Sequence, residues 1–329
     1  MKRCKAPRAI LLAACLAACS GLPDALRAPA QVEYVDPSIG SVAQLLEPTR
    51  PTVSLPNSMV RVYPVRRDGL DDQIHSFPLT IISHRLGELF WLMPCAGAPD
   101  AGAWDRPAAC DQERETPYYY STRLDGSWIR IELTPTTHCG FFRFTFPSGK
   151  PVVLLANRIG GEMTPEGTDS FSGWERFHGM KAFVYGRFNA PVDFNRSEAS
   201  GKARLAVSSR ARQNEFELRY GISFISIEQA RKNLIEEIPD WNFDRVKQRA
   251  RDRAGTGSSA KFRWKAARRR NGACFTRRCI VVTSAWWTFR RTAVTTAPST
   301  TRCIRTRGRS TWTTGFGTRI ARSNRCRRC

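Results

Sequence analysis

The sequence predicts an all-β fold: an antiparallel β-sandwich, followed by a helical connector and a disordered basic tail. Three observations carry this. Short β-rich runs recur from residue 32 to 225 with turn residues between them, the pattern of many antiparallel strands rather than of alternating strands and helices. Residues 128–134 alternate cleanly: Ile129, Ile131 and Leu133 face one way, and Arg130, Glu132 and Thr134 the other. Asp125-Gly126 stands between two such runs as a tight hairpin signal.

Taken in order, the chain opens with a charged stretch, Lys2, Arg3, Lys5 and Arg8, and then an apolar core over residues 9–18. That core is too short to span a bilayer and reads as an export signal. Leu16-Ala17-Ala18-Cys19 resembles a bacterial lipoprotein cleavage box. Cleavage there leaves Cys19 as a lipidated N-terminus on a membrane, in the periplasm or on the outer membrane or cell surface; an ordinary cleaved secretory signal is the alternative. The segments expected are a signal at 1–19, a tether at 20–31, a β-domain at 32–225, a helical connector at 226–253 and the tail at 254–329.

The β-rich runs of the β-domain include 59–65, 78–83, 118–124, 128–134, 141–146, 152–156, 181–188 and 215–225. An exported chain can keep disulfides. Cys95 and Cys110 bracket a loop rich in Gly, Ala, Pro and Asp, and either pair or remain two thiols, since sequence does not fix connectivity. Asp36, Asp71 and Asp72 offer carboxylates, but their spacing matches no calcium loop. His84-Arg85 follows a strand and is the candidate pair for meeting sugar hydroxyls; a plain surface loop is the competing reading. Trp91, Trp104, Trp128 and Trp174 can stack on sugars, although tryptophans of a sandwich mostly serve its core. No G-x-S-x-G, H-E-x-x-H or zinc-spaced Cys/His set occurs in this domain. The densest acidic cluster, Glu162, Glu166, Asp169 and Glu175, reads as a solvated loop, so no catalytic residue and no metal site is assigned.

Ser226 followed by Gln229 has the spacing of a capping box. Ile227, Ala230, Leu234 and Ile238 then form one apolar stripe, and Pro239 ends the helix. Asn242 can cap a second helix with Phe243, Val246 and Ala250 on one face. Such a bent connector predicts a further domain, and with none following, the stripe is expected to be partly exposed.

Charge divides the chain. Up to Asp252 there are 32 Lys+Arg against 29 Asp+Glu, whereas from Arg253 onward there are 20 Lys+Arg and no acid. Interleaved aromatics give the tail the composition of a nucleic-acid binder, but no period persists in it, and an exported protein has little use for one. No nucleic-acid partner is therefore expected.

Three stretches resemble one family. YVDPSIG at 34–40, IELTPTTHCGFFRFTFP at 131–147 and ISFISIEQARKNLIEEIPDW at 222–241 are similar to segments of the family 92 glycoside hydrolases, bacterial exo-α-mannosidases. The resemblance implies a β-sandwich N-terminal domain, mannose-containing glycans as partners and calcium as cofactor of the intact enzyme. It also places the catalytic carboxylates and calcium ligands in a helical domain that this chain lacks. The family's Gly/His-rich loop after the opening motif is replaced here by SVAQLLEPTRP.

Starting each codon of the tail one base earlier makes it compatible with a sequence that restores acids and ends in a WDTYRALEPL-like segment, which resembles the start of the family's helical domain. A frameshift just after Arg253 is therefore expected. The expected function is therefore that of a truncated, inactive α-mannosidase-like chain. The alternatives are a non-catalytic carbohydrate-binding lipoprotein and a basic nucleic-acid or membrane binder acting through the tail.

Overall fold

The computed structural model describes residues 31–42, 50–67, 69–83 and 87–256, and three short strands within 303–320. The expected export signal, the expected tether up to residue 30 and most of the tail lie outside the described residues. A short 3-10 turn at Gln31–Tyr34 is followed by β1 (Gln73–Ile74), β2 (Thr80–Ser83), β3 (Gly87–Leu89), β4 (Trp91–Cys95), β5 (Ala108–Thr116), β6 (Tyr119–Leu124), β7 (Arg130–Pro135) and β8 (Cys139–Thr145). Then come β9 (Val152–Ala156), β10 (Gly161–Glu166), β11 (Ser170–Phe177), β12 (Met180–Phe188), β13 (Val192–Ala199), β14 (Lys202–Ser209) and β15 (Glu215–Ser223). Helices α1 (Ile227–Glu237) and α2 (Phe243–Thr256) close the unit.

Nine strands form one sheet in the order β1-β5-β6-β7-β8-β15-β12-β11-β10, and four form a second in the order β13-β14-β9-β4. All described pairings are antiparallel, and a small β2–β3 ladder stands apart from both sheets. The inward residues of the large sheet, among them Ile131, Leu133, Phe142, Phe144, Leu218 and Ile222, join Val153, Leu155, Leu205 and Val207 of the small sheet in one buried cluster. This is the expected sandwich.

The outer face of the large sheet is covered too. Tyr119, Cys139, Phe141 and Tyr185 bury against Ala230, Leu234, Ile238, Phe243, Val246 and Ala250 of the helical segment. Phe141 meets Phe243 edge-on, with ring centroids 5.2 Å apart. The expected exposure of the connector's stripe is thereby corrected: Leu234 is 1% exposed and Ile238 0%, with Ile227 only half-buried. The physical reason is that this sheet face is itself apolar and supplies the partner surface the stripe needs. The same layer explains why the polar side of β7 is not a solvent side. Glu132 and Thr134 are buried beneath α2 just as Ile131 and Leu133 are buried beneath the small sheet.

Close contact between α1 and β15 requires a glycine. A Cβ on Gly221 would stand 2.2 Å from the Ala230 carbonyl oxygen. Ser226 caps α1 as expected, its hydroxyl accepting from Gln229 N at 3.1 Å, but the box is only half closed: the Gln229 amide donates to Asn233 Oδ1 instead. Asn242 Oδ1 accepts from Arg245 N and caps α2.

The expected strand at 59–65 appears only as single bridges, Val53 to Val62 and Val65 to Ser76. Pro64 between them has no N–H to continue a ladder. The Asp125-Gly126 hairpin forms, with Gly126 at φ +75°. Residues 285–329 make a second unit, in which β16 (Cys303–Thr306), β17 (Arg309–Thr313) and β18 (Arg319–Ile320) pair antiparallel. The tail's expected disorder falls largely on its other residues, which lie outside the described ones.

Candidate functional site

Where β15 and β8 run out from under the helices, their outward side chains change from apolar to charged. Successive strand residues alternate faces, so Glu215, Glu217 and Arg219 share the outer face of β15. Register sets Glu217 opposite Arg143 of β8, and Arg143 opposite Glu132 of β7. The start of α2 brings Asp244 and Phe243 over the same row. An open cleft of about 600 Å³ results, lined by Arg143, Glu215, Glu217, Trp241, Asp244 and Arg245 among others.

Arg143 is the hub of this cleft. Its Nε donates to Glu132 at 2.9 Å and its Nη1 to Asp244 at 3.3 Å, while its guanidinium lies 4.3 Å over the Phe243 ring. Burial works against its charge, but the two carboxylates outweigh that and raise its pKa. Burial likewise opposes ionisation of Glu132, yet its bonds from Arg143 and Tyr119 hold it below the usual carboxylate range. Glu217 takes the opposite course. Burial pushes its carboxyl up to about 7; Arg143 pulls the other way, and Glu215, Asp244 and Glu132 add repulsion. The cleft thus offers a carboxyl that titrates near neutrality, a fixed guanidinium and an aromatic edge.

A second cluster fixes the end of α1. Glu237 accepts from His138 N at 3.0 Å, stands 2.5 Å from His138 Nδ1, and accepts from the Thr136 hydroxyl at 2.5 Å. Burial raises the Glu237 pKa, but these bonds prevail and hold it below its ordinary value.

The residues singled out by sequence are scattered. Cys19, His84 and Arg85 lie outside the described residues. Cys95 at the end of β4 and Cys110 in β5 are free, half-buried thiols belonging to different sheets. Trp91 is buried and packs 5.7 Å from Trp104. Arg204 covers Trp104 at 5.0 Å, and Lys181 covers Trp174 at 4.3 Å. Trp128 alone of the four is largely exposed, at 57%.

The acidic cluster is divided by function. Glu162, Glu166 and Asp169 pair with Arg196, Arg231 and Arg187. Glu175 is fully buried and accepts from Phe90 N and Ile159 N, each at 2.5 Å, so it is a structural carboxylate binding two turns together. Asp36 accepts from Ser38 N and Oγ, Asp71 from the backbone of Arg67 and Gln73, and Asp72 from the Gln73 amide. Among the described residues no three His, Cys, Asp or Glu converge in a way that fits calcium.

Sequence reasoning missed Glu217, Arg143 and Asp244. The alternation of Glu215 and Glu217 was the available signal, but only the register across β15, β8 and β7 brings them to one place.

The profile of the glycosyl hydrolase family 92 N-terminal domain matches residues 34–232. No curated protein matches the chain. The fold is shared with a family GH92 inverting mannosidase of Bacteroides thetaiotaomicron, with a TM-score of 0.68 and 20% identity over 77% of this chain and 40% of that one. It is also shared with a GH92 α-mannosidase of the same organism, with a TM-score of 0.64 and 16% identity over 76% of this chain and 40% of that one. This chain thus spans about two-fifths of the length of these solved structures. The sandwich, the motifs that open and close it and the profile match across more than half of the residues agree, and the chain belongs to glycosyl hydrolase family 92 through its N-terminal domain.

Proposed function

We propose that the protein is the N-terminal sandwich and connector of an exported, lipid-anchored, inverting α-mannosidase that acts on mannose-containing glycans and uses calcium. The observation that carries this reading is the family profile over residues 34–232. The chain as given is inactive in this reading. Inversion requires two carboxyl groups about 6.5–9.5 Å apart on opposite sides of the sugar ring. Glu215 and Glu217 project from one face of one strand, so they approach any ligand from the same side. Catalysis and calcium then belong to residues beyond the described ones, in the domain that a shift of frame after Arg253 removes.

Resequencing the gene across codons 245 to 330 and onward tests this. The expected result is a single base that restores a continuous frame into an acidic, helical domain. The restored protein then hydrolyses α-mannosides with inversion when calcium is supplied, and the 329-residue chain does not. A frame that stays as given, or a restored protein inert toward α-mannosides, defeats the reading.

A further inference from the structure

Trp128 is placed as few core tryptophans are. It sits in the β6–β7 hairpin with φ +58°, a left-handed conformation that Gly and Asn adopt easily and a bulky aromatic adopts at a cost. A folding criterion alone would choose another residue here. Beneath the ring lies Arg123, its guanidinium 4.6 Å from the centroid. Arg123 is held in turn: its Nη2 meets Asp111 Oδ2 at 3.4 Å, and the Gln112 amide, turned with its oxygen toward Arg123, accepts from Nη1 at 3.1 Å and Nη2 at 3.3 Å. Gln112 is itself at φ +53°, in the β5 bulge opposite β6. With one face of the indole backed by Arg123 and 57% of the residue still exposed, the opposite face is what solvent meets.

An indole immobilised on an ion-paired guanidinium, with its other face free, suits a ligand that is flat and apolar on its ring face and polar at its edge. A pyranose ring has that character: its axial C–H groups stack on an aromatic face while its hydroxyls reach side chains around it. We propose that Trp128, backed by an Arg123 that Asp111 and Gln112 hold in place, is a glycan-holding platform that binds a pyranose unit of a neutral mannose polymer. The ligand class rests on the proposed function above; the platform itself rests on the geometry. Its task is to keep polymeric substrate at the domain surface, apart from any bond cleavage.

Affinity electrophoresis of the full 329-residue chain, run toward the cathode through gels containing neutral α-mannan, tests it. Trp128→Asn is the informative variant, because Asn tolerates the left-handed backbone and the hairpin remains folded. Trp174→Ala serves as the control at a Lys-covered indole. The expected result is retardation of the parent and of Trp174→Ala, with the apparent association constant at least tenfold lower for Trp128→Asn. Equal retardation of Trp128→Asn and parent, or no retardation of the parent, overturns the proposal. Neither result bears on whether the gene's frame is restored, so failure here is distinct from failure of the family 92 reading.

Discussion

Arg219 donates from Nη1 to the carbonyl oxygen of Ile238 at 2.7 Å, the residue at which α1 ends. Helix C-termini leave carbonyls without internal partners, and here a guanidinium rising from the sheet supplies one. The same group lies 4.3 Å over the Trp241 ring, so one side chain seals the turn between the two helices. Replacing Arg219 by Ala removes a buried bond from a charged donor, whose loss costs about 1.5–3 kcal/mol. Urea denaturation of the two proteins measures it, and hydrogen exchange should quicken first at the end of α1.

Gly221→Ala tests the packing of α1 on β15. The added Cβ meets backbone, the Ala230 oxygen at 2.2 Å and the Leu234 nitrogen at 3.2 Å, and backbone cannot step aside as a flexible side chain can. The helix must lift. A loss of about 1–3 kcal/mol is expected, as for other overpacked sites. A variant as stable as the parent would mean that α1 does not sit this close.

Glu217 gives stability a slope near neutrality. Its carboxyl is raised from 4.5 to about 7 in the fold, so the folded state holds a proton that the unfolded chain has released. Its contribution is full below 4.5 and is lost as the pH rises to 7. Glu217→Gln keeps the neutral form at every pH and should flatten this slope. The expected gain over the parent at pH 8 is about 1–3 kcal/mol, from roughly 1.36 kcal/mol per pKa unit, and it should vanish at pH 4.5. Paired urea titrations at the two pH values measure it.

Glu237 has the opposite sign. Its pKa is held below the ordinary 4.5 by His138 and Thr136, so its stabilisation is present above 4.5 and lost as the pH falls through the folded value. Glu237→Gln should therefore destabilise the protein at pH 7 and converge with the parent in strong acid. Thermal melts from pH 7 down to pH 3 check both the sign and the window.

The sandwich was legible because its central strands are apolar in short, well-bounded runs. Residues 152–156 are the clearest case, and β9 occupies the same five positions. Two of the strands that were missed, β13 and β5, carry little such signal. In β13, Asp193, Asn195 and Arg196 surround Phe194, and β5 holds Asp111, Glu113 and Glu115, because both run largely in contact with water. The two helices were legible from caps and stripe, but their partner surface was not. Nothing local in Tyr119, Phe141 and Tyr185 tells whether an outward aromatic meets solvent or a helix that arrives a hundred residues later. The charged cleft was hidden for the same reason: Glu217, Arg143 and Glu132 lie in three separate stretches, and only strand order makes them neighbours.

The outer helical layer sets a timetable for synthesis. Phe141 must wait for Phe243, and the buried partners of that face continue to Ala254, well past residue 232 where the family profile ends. At about 5–20 residues per second, an aromatic sheet face stands uncovered for roughly 5–20 s on each growing chain. A chain released before Phe243 leaves Phe141 bare, which makes early termination a route to aggregation, and the burial of Ala254 assigns the last turns of α2 to the folding unit.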